Sequence, residues 1–227
     1  MNYAFDFSVP LAYWPDFVRG AWTTLALSLS ATVFGFLLGV FCALAKTGRR
    51  AWLARVAGAY VELIRNTPLL VQVFLVYFGL ASLEFQLGAF AAATLALVIN
   101  VAAYTCEIVR AGIESIPRGQ LEAAECIGLS RWQMLRHVVL PPAVERVYPA
   151  LSSQYVLLML ASSICSQISA EELTAVANRI QSDTFRSVET YLLVAVAYLA
   201  MSLVMRAILW AVAQVAFPRR RRLGTPI

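Results

Sequence analysis

Five long stretches of the chain are apolar and nearly free of charge, separated by short segments where charge, proline and glycine collect. They run between Arg19 and Lys46, from Arg55 to Glu84, from Glu84 to Glu107, from Arg146 to Glu171, and from Glu189 to Phe217. Each is near or above the roughly 20 residues that an α-helix needs to cross the hydrocarbon layer. Strands would need an apolar/polar alternation over about ten residues, which none of the five shows, and a helix satisfies its own backbone inside lipid. The pattern predicts an all-α integral membrane protein with five transmembrane helices at about 20–45, 57–82, 87–109, 146–168 and 190–214. Residues 1–19 are expected as an external segment, 20–217 as the membrane domain with an intervening loop at 111–144, and 218–227 as a basic tail.

Composition sharpens this picture. Sixty per cent of the 227 residues are apolar and 14% are charged, against about 25% charged in soluble domains. The surplus needs a bilayer as its second solvent. The net charge of +5 could suggest anionic partners, but the positions of the basic residues argue for orientation instead. Lys46, Arg49, Arg50 and Arg55 follow the first span, Arg110, Arg118, Arg131, Arg136 and Arg146 follow the third, and Arg219 to Arg222 follow the fifth. With five spans these regions share one side, which the enrichment of Lys and Arg in cytoplasmic loops makes the inside. The N-terminus is then outside and the C-terminus inside, and no nucleic-acid partner is called for. The first 20 residues lack a basic n-region and a small-residue cleavage site. Pro10 and Pro15 are expected to break any long helix there, with Tyr13, Trp14, Phe17 and Trp22 at the interface.

Cys42, Cys106, Cys126 and Cys165 are far apart, and His137 is the single histidine. No metal site or catalytic residue is predicted from this material, and the cysteines read as small buried hydrophobes. A membrane enzyme would need a catalytic cluster that these residues do not supply.

The segment from Ala111 to Val144 is longer than a connector requires. Pro117 and Gly119 precede a helix-forming run, Gln120 to Ile127, that Gly128 ends; Ser130 can cap a second short helix, with Trp132, Leu135 and Val138 on one face, which Pro141 and Pro142 are expected to halt. Two amphipathic helices at the inner membrane surface are predicted, either lying on headgroups or docking a partner.

Glu122-Ala123-Ala124, then Gly128, Val138 and Leu140-Pro141 at the spacing seen here, resemble the EAA loop of ABC importer permeases, with valine at 138 where isoleucine is usual. ELIRNTPLLVQ (62–72) and AAYTCEIVRAGIESIPRGQ (102–120) resemble the polar amino acid branch of that family, and the likeness covers roughly Gly20 to Trp210. The resemblance implies an ABC importer type I permease fold in a bacterial inner membrane, moving polar amino acids inward. It implies a cytoplasmic ABC ATPase dimer that carries ATP-Mg, since this chain has no G-x-x-x-x-G-K-[ST] phosphate loop and binds no cofactor of its own. A second permease subunit, identical or paralogous, and a periplasmic amino-acid-binding protein complete the implied assembly. Glu122, Ala123, Ala124, Gly128, Arg131 and Arg136 would form the ATPase-coupling element, small alanines permitting close approach and the arginines offering charge pairs. A permease for another small solute, an energy-independent channel and a membrane scaffold are the competing readings.

Polar groups inside spans are costly and tend to face the bundle interior. Glu62 and Arg65 stand three apart and can pair, as a structural ion pair or as ligand contacts; Asn66, Thr67, Pro68 and Gln72 follow. Arg65, Asn66, Thr67 and Gln72 are candidates for a substrate path. So are Ser162, Ser163 and Gln167 in the external half of span four, although serines there also serve close packing. Glu172, expected in an exposed acidic loop, is a candidate for contact with a substrate amino group or a delivering protein. Relatives often carry lysine at the position of Leu160, and Arg206 is expected to snorkel to the cytoplasmic headgroups.

Overall fold

The computed structural model describes residues 5–48 and 50–217. Arg49 and the expected tail at 218–227 lie outside them. After one helical turn, Ser8–Leu11, helix α1 spans Trp14–Thr47. It begins earlier than expected because Pro15 occupies its first turn, where the missing N–H costs nothing, instead of breaking it. Helix α2 is Ala51–Arg65, and α3 is Leu69–Phe74, continued by a π-helical turn, Leu75–Gly79, and by Leu80–Ser82. Helix α4 is Ala89–Glu114, α5 is Arg118–Cys126, and α6 is Arg131–Met134. A second π-turn, Leu135–Val139, joins α6 to α7, Leu140–Ala161, which ends in a 3₁₀ turn, Ser162–Ile168. Helices α8 (Leu173–Thr184) and α9 (Ser187–Ala216) complete the described chain.

Among the described residues four helical stretches are long and apolar enough to cross a membrane: α1, α4, the continuous run Arg131–Ile168, and α9. The expected second span is not one straight helix. It is α2 and α3, bent by 109° across a break of three residues, so the total is five only if the bent pair is one span. Pro68 is the cause: it cannot donate into the preceding turn and takes extended backbone (ψ 139°) as the N-cap of α3.

Helix α4 is the centre. Of its most apolar 18 residues 56% are buried, against 6% for α9, whose exposed apolar side chains face outward. Without a hydrophobic force between helices in lipid, close approach of small residues supplies the packing. Ala92, Ala93, Ala96, Ala102 and Ala103 of α4 are fully buried. Against them α1 brings Gly35 and Gly39, where an added Cβ would lie 2.1 Å from Val101 Cγ1 and 2.6 Å from Thr105 Cβ. Gly39→Val therefore forces α1 away from α4 and is expected to destabilise the folded chain by about 1–3 kcal/mol. Retained melting temperature in detergent would contradict this.

Lys46 at the end of α1 and Arg110 on α4 both pair with Glu107, at 2.6 and 2.8 Å, and Arg65 approaches the same carboxylate at 3.9 Å. The ends of α1, α2 and α4 thus converge on one acid. Cys42, Cys106 and Cys165 are buried as expected, but Cys126 is exposed at the end of α5, where the short helix leaves its outer side uncovered.

Candidate functional site

The hairpin between α4 and α7 is built by local signals. Pro117, in extended backbone, starts α5. Gly128 ends it with φ +78°, the left-handed conformation that glycine adopts without strain. Its N–H donates to Glu125 O at 2.9 Å, and Leu129 N–H donates to Ala124 O at 3.1 Å. Ser130 then caps α6 reciprocally: Gln133 N–H donates to Ser130 Oγ (3.4 Å), and Ser130 N–H donates to Gln133 Oε1 (2.8 Å).

Pro141 and Pro142 do not halt this second helix. They sit in the first turn of α7 just after the π-turn, so helix continues from Arg131 through to the membrane-spanning part. Helix α6 is consequently the extended end of a spanning helix, and α5 folds back beside it. Leu121 and Leu135 pack on a small core of Ile116, Val139 and Ala143. Ala124 is buried, whereas Glu122, Ala123, Arg131 and Arg136 are exposed. Neither arginine forms an ion pair among the described residues. Ile127 (75% exposed) and Trp132 (67%) leave two large apolar side chains uncovered beside these charges. Arg146 anchors the base of the hairpin by donating to Ser115 O and Oγ at 2.5 and 2.9 Å.

At the α2–α3 break the expected Glu62–Arg65 pair does not form. The Glu62 carboxylate accepts from Asn66 Nδ2 at 3.2 Å, and Arg65 turns to Glu107 and stacks over the Tyr104 ring at 5.5 Å. Gln72 is buried: its amide donates to Ile64 O (2.8 Å), Thr67 O (3.0 Å) and Thr67 Oγ1 (2.9 Å), while its Oε1 accepts from Asn100 Nδ2 (2.8 Å). Thr67 Oγ1 donates to Leu63 O at 2.9 Å. These side chains supply the donors that the broken helix withholds from its own carbonyls. Asn100 is visible in the sequence as a polar residue inside the third apolar stretch, but its place opposite this break is set by the packing of α4.

At the opposite end of the bundle Glu172 is fully buried, not in an exposed loop. Its Oε1 accepts from Ala175 N–H at 2.9 Å, capping α8. Its Oε2 accepts from Tyr198 O–H on α9 at 2.7 Å, with Thr24 Oγ1 of α1 at 3.5 Å. Leu173 N–H donates to Thr24 Oγ1 at 3.1 Å, and α1 comes close because Gly20 has no Cβ, which would lie 2.9 Å from Leu173 Cα. Burial pushes the Glu172 carboxyl above its ordinary range, against the lowering effect of these hydrogen bonds. Helix α8 itself went unpredicted. It buries Leu173, Val176, Ala177 and Ile180, an i, i+3, i+4, i+7 face, in what reads as a polar external segment. Ser162 is buried and bonded to Met159 O, Ser163 donates to Leu160 O, and Gln167 is exposed.

The fold and these sites have counterparts among known proteins. Residues 35–217 match the family described as "Binding-protein-dependent transport system inner membrane component". The octopine transport system permease protein of Rhizobium meliloti is 32% identical, over 96% of this chain and 94% of its own length. The glutamine transport system permease protein of Escherichia coli (strain K12) is 36% identical, over 90% and 94%. A solved chain described as "Crystal structure of an amino acid ABC transporter with histidines" superposes with a TM-score of 0.87 at 38% identity, covering 93% of this chain and 99% of that one. A methionine ABC transporter in an inward-facing conformation superposes at 0.72 with 22% identity, a likeness of fold. The likeness thus runs along nearly the whole chain, which belongs to the binding-protein-dependent transport system inner membrane components, the permease subunits of ABC importers.

Proposed function

We propose that this permease imports a polar amino acid, delivered by an external binding protein and driven by cytoplasmic ABC ATPases through the α5–α6 hairpin. The observation that carries the coupling role is the continuity of α6 with α7: a push on α6 is transmitted along one helical axis, and α5 is tied to it where Leu121 and Leu135 pack on the same small core. Glu122, Ala123, Gly128, Arg131 and Arg136 would meet the ATPase, with the uncovered Ile127 and Trp132 as apolar anchors; Ala124 packs inward and holds the hairpin to its base. The basic residues around it support an inside hairpin and an outside N-terminus. A dimer with itself or a paralogue would supply the rest of a pathway that one such bundle does not enclose. Arg65, Asn66, Ser163 and Gln167 are the path candidates with accessible polar groups; Thr67, Gln72, Ser162 and Glu172 would shape the path through the bonds they already make.

Reconstituted vesicles holding the permease, ATPase and binding protein are expected to accumulate at least one of labelled L-glutamine, L-arginine or L-histidine, with ATP required. No uptake of any of the three would refute the amino acid assignment.

A further inference from the structure

Arg206 of α9 is a cation inside the most apolar helix of the chain. Residues 191–217 contain no other charge, so the middle of the stretch is near 204, and Arg206 lies within about 5 Å of it along the axis. Headgroups begin roughly 15 Å from the bilayer centre. The Cα–Cβ bond of a helical residue tilts toward the N-terminus, here away from the nearer surface, so the snorkelling expected from sequence works against the geometry. Arg206 makes no ion pair or hydrogen bond among the described residues. A charge in that position calls for a counter-charge or a water-filled path.

The side chain borders a cavity of about 190 Å³ between α7 and α9, which Tyr148, Ser152, Ser153 and Trp210 also line. Tyr148 O–H donates to Leu209 O at 2.7 Å and its ring packs edge-on against Phe217 at 5.2 Å, which pins the two helices at that level. Ser152 Oγ is buried beside the Tyr148 hydroxyl. A planar cation beside serine hydroxyls suits a small carboxylate, which guanidinium binds through two parallel N–H groups. A lipid phosphate would have to sink well below its headgroup layer to reach it.

We infer that Arg206, with Ser152 and Ser153, forms a subsite that takes the α-carboxylate of the transported amino acid partway across the membrane. This rests on the amino acid reading above and adds a residue to it. The test compares wild type, Arg206→Gln and Arg206→Lys as the intact permease–ATPase complex without binding protein. Labelled L-glutamine, L-arginine and L-histidine are each competed with their α-amides, which lack the carboxylate charge. Wild type is expected to prefer at least one acid over its amide by about 10- to 100-fold. Arg206→Gln loses that preference, and Arg206→Lys keeps part of it. A preference that survives Arg206→Gln, or no binding by the wild-type complex while vesicles holding the full assembly still accumulate the amino acid, overturns the subsite alone. Failure of uptake by the full wild-type assembly overturns the amino acid reading instead. A loss in Arg206→Gln that appears only in vesicles with anionic lipid, and not in phosphatidylcholine, assigns the guanidinium to headgroups and also overturns the subsite.

Discussion

Gly128→Val is expected to lower ATP-driven uptake by about tenfold or more while leaving membrane insertion intact. The position has φ +78° and no atom near the place of its Cβ, so the change acts through the backbone and not through packing. A β-branched residue in the left-handed region costs about 1–2 kcal/mol, and 1.4 kcal/mol is already a factor of ten in an equilibrium. The chain relieves that strain by giving up the turn closed by the Gly128 and Leu129 N–H groups, which moves the Ser130–Gln133 cap relative to α5. On the proposed coupling role, the surface the hairpin would offer the ATPase is then no longer one shape. Gly128→Asn, which tolerates the same backbone, is expected to keep most of the uptake. Co-purification of the ATPase with each variant, beside uptake in vesicles, measures both effects. A valine variant that binds the ATPase and transports like wild type would sink the coupling role of the hairpin.

Glu172 gives the second large effect, on stability. Glu172→Ala leaves Ala175 N–H without its acceptor, leaves Tyr198 O–H only Thr174 Oγ1 at 3.0 Å, and opens a void among α1, α8 and α9. A loss of about 2–4 kcal/mol follows from the lost cap and the cavity left by a fully buried side chain, or roughly 4–16 °C in Tm at this chain length. Glu172→Gln keeps an acceptor for Ala175 N–H and lets Tyr198 O accept from the amide. Its effect depends on pH. The folded carboxyl titrates above its ordinary 4.5, so over the interval above that value the folded protein keeps a proton that the unfolded chain has released. Stability of the wild type therefore falls as pH rises through that interval. Glutamine has no proton to lose, so the variant gains on wild type with rising pH. Melting curves in detergent from pH 5 to 8 test this, and parallel pH profiles for the two proteins would count against a buried, proton-retaining Glu172.

The same positions show where linear reading works. Capping and turn chemistry are local, so Gly128 and Ser130 were legible, as were the apolar stretches. Pro141 and Pro142 misled because a proline is a stop only inside a helix; here the π-turn places them in a first turn, and sequence carries no mark of that phase. Glu172 misled because the partner that brings α1 to it, Thr24, is 148 residues away. A charged residue beside another in a polar segment looks solvated until distant donors are placed around it.

By itself the sequence determined the helical class, the apolar segments and the position of the hairpin, because bilayer thickness and capping chemistry act along a single stretch of chain. Only the tertiary structure decided that the second span is bent by 109°, that Gln72 and Thr67 cap the break, that Glu107 gathers three helix ends, and that Glu172 is buried while Arg206 borders a cavity. Each of these depends on which donors and acceptors distant helices bring together, and in a low-dielectric interior that pairing, not the residue type alone, sets what a polar group does.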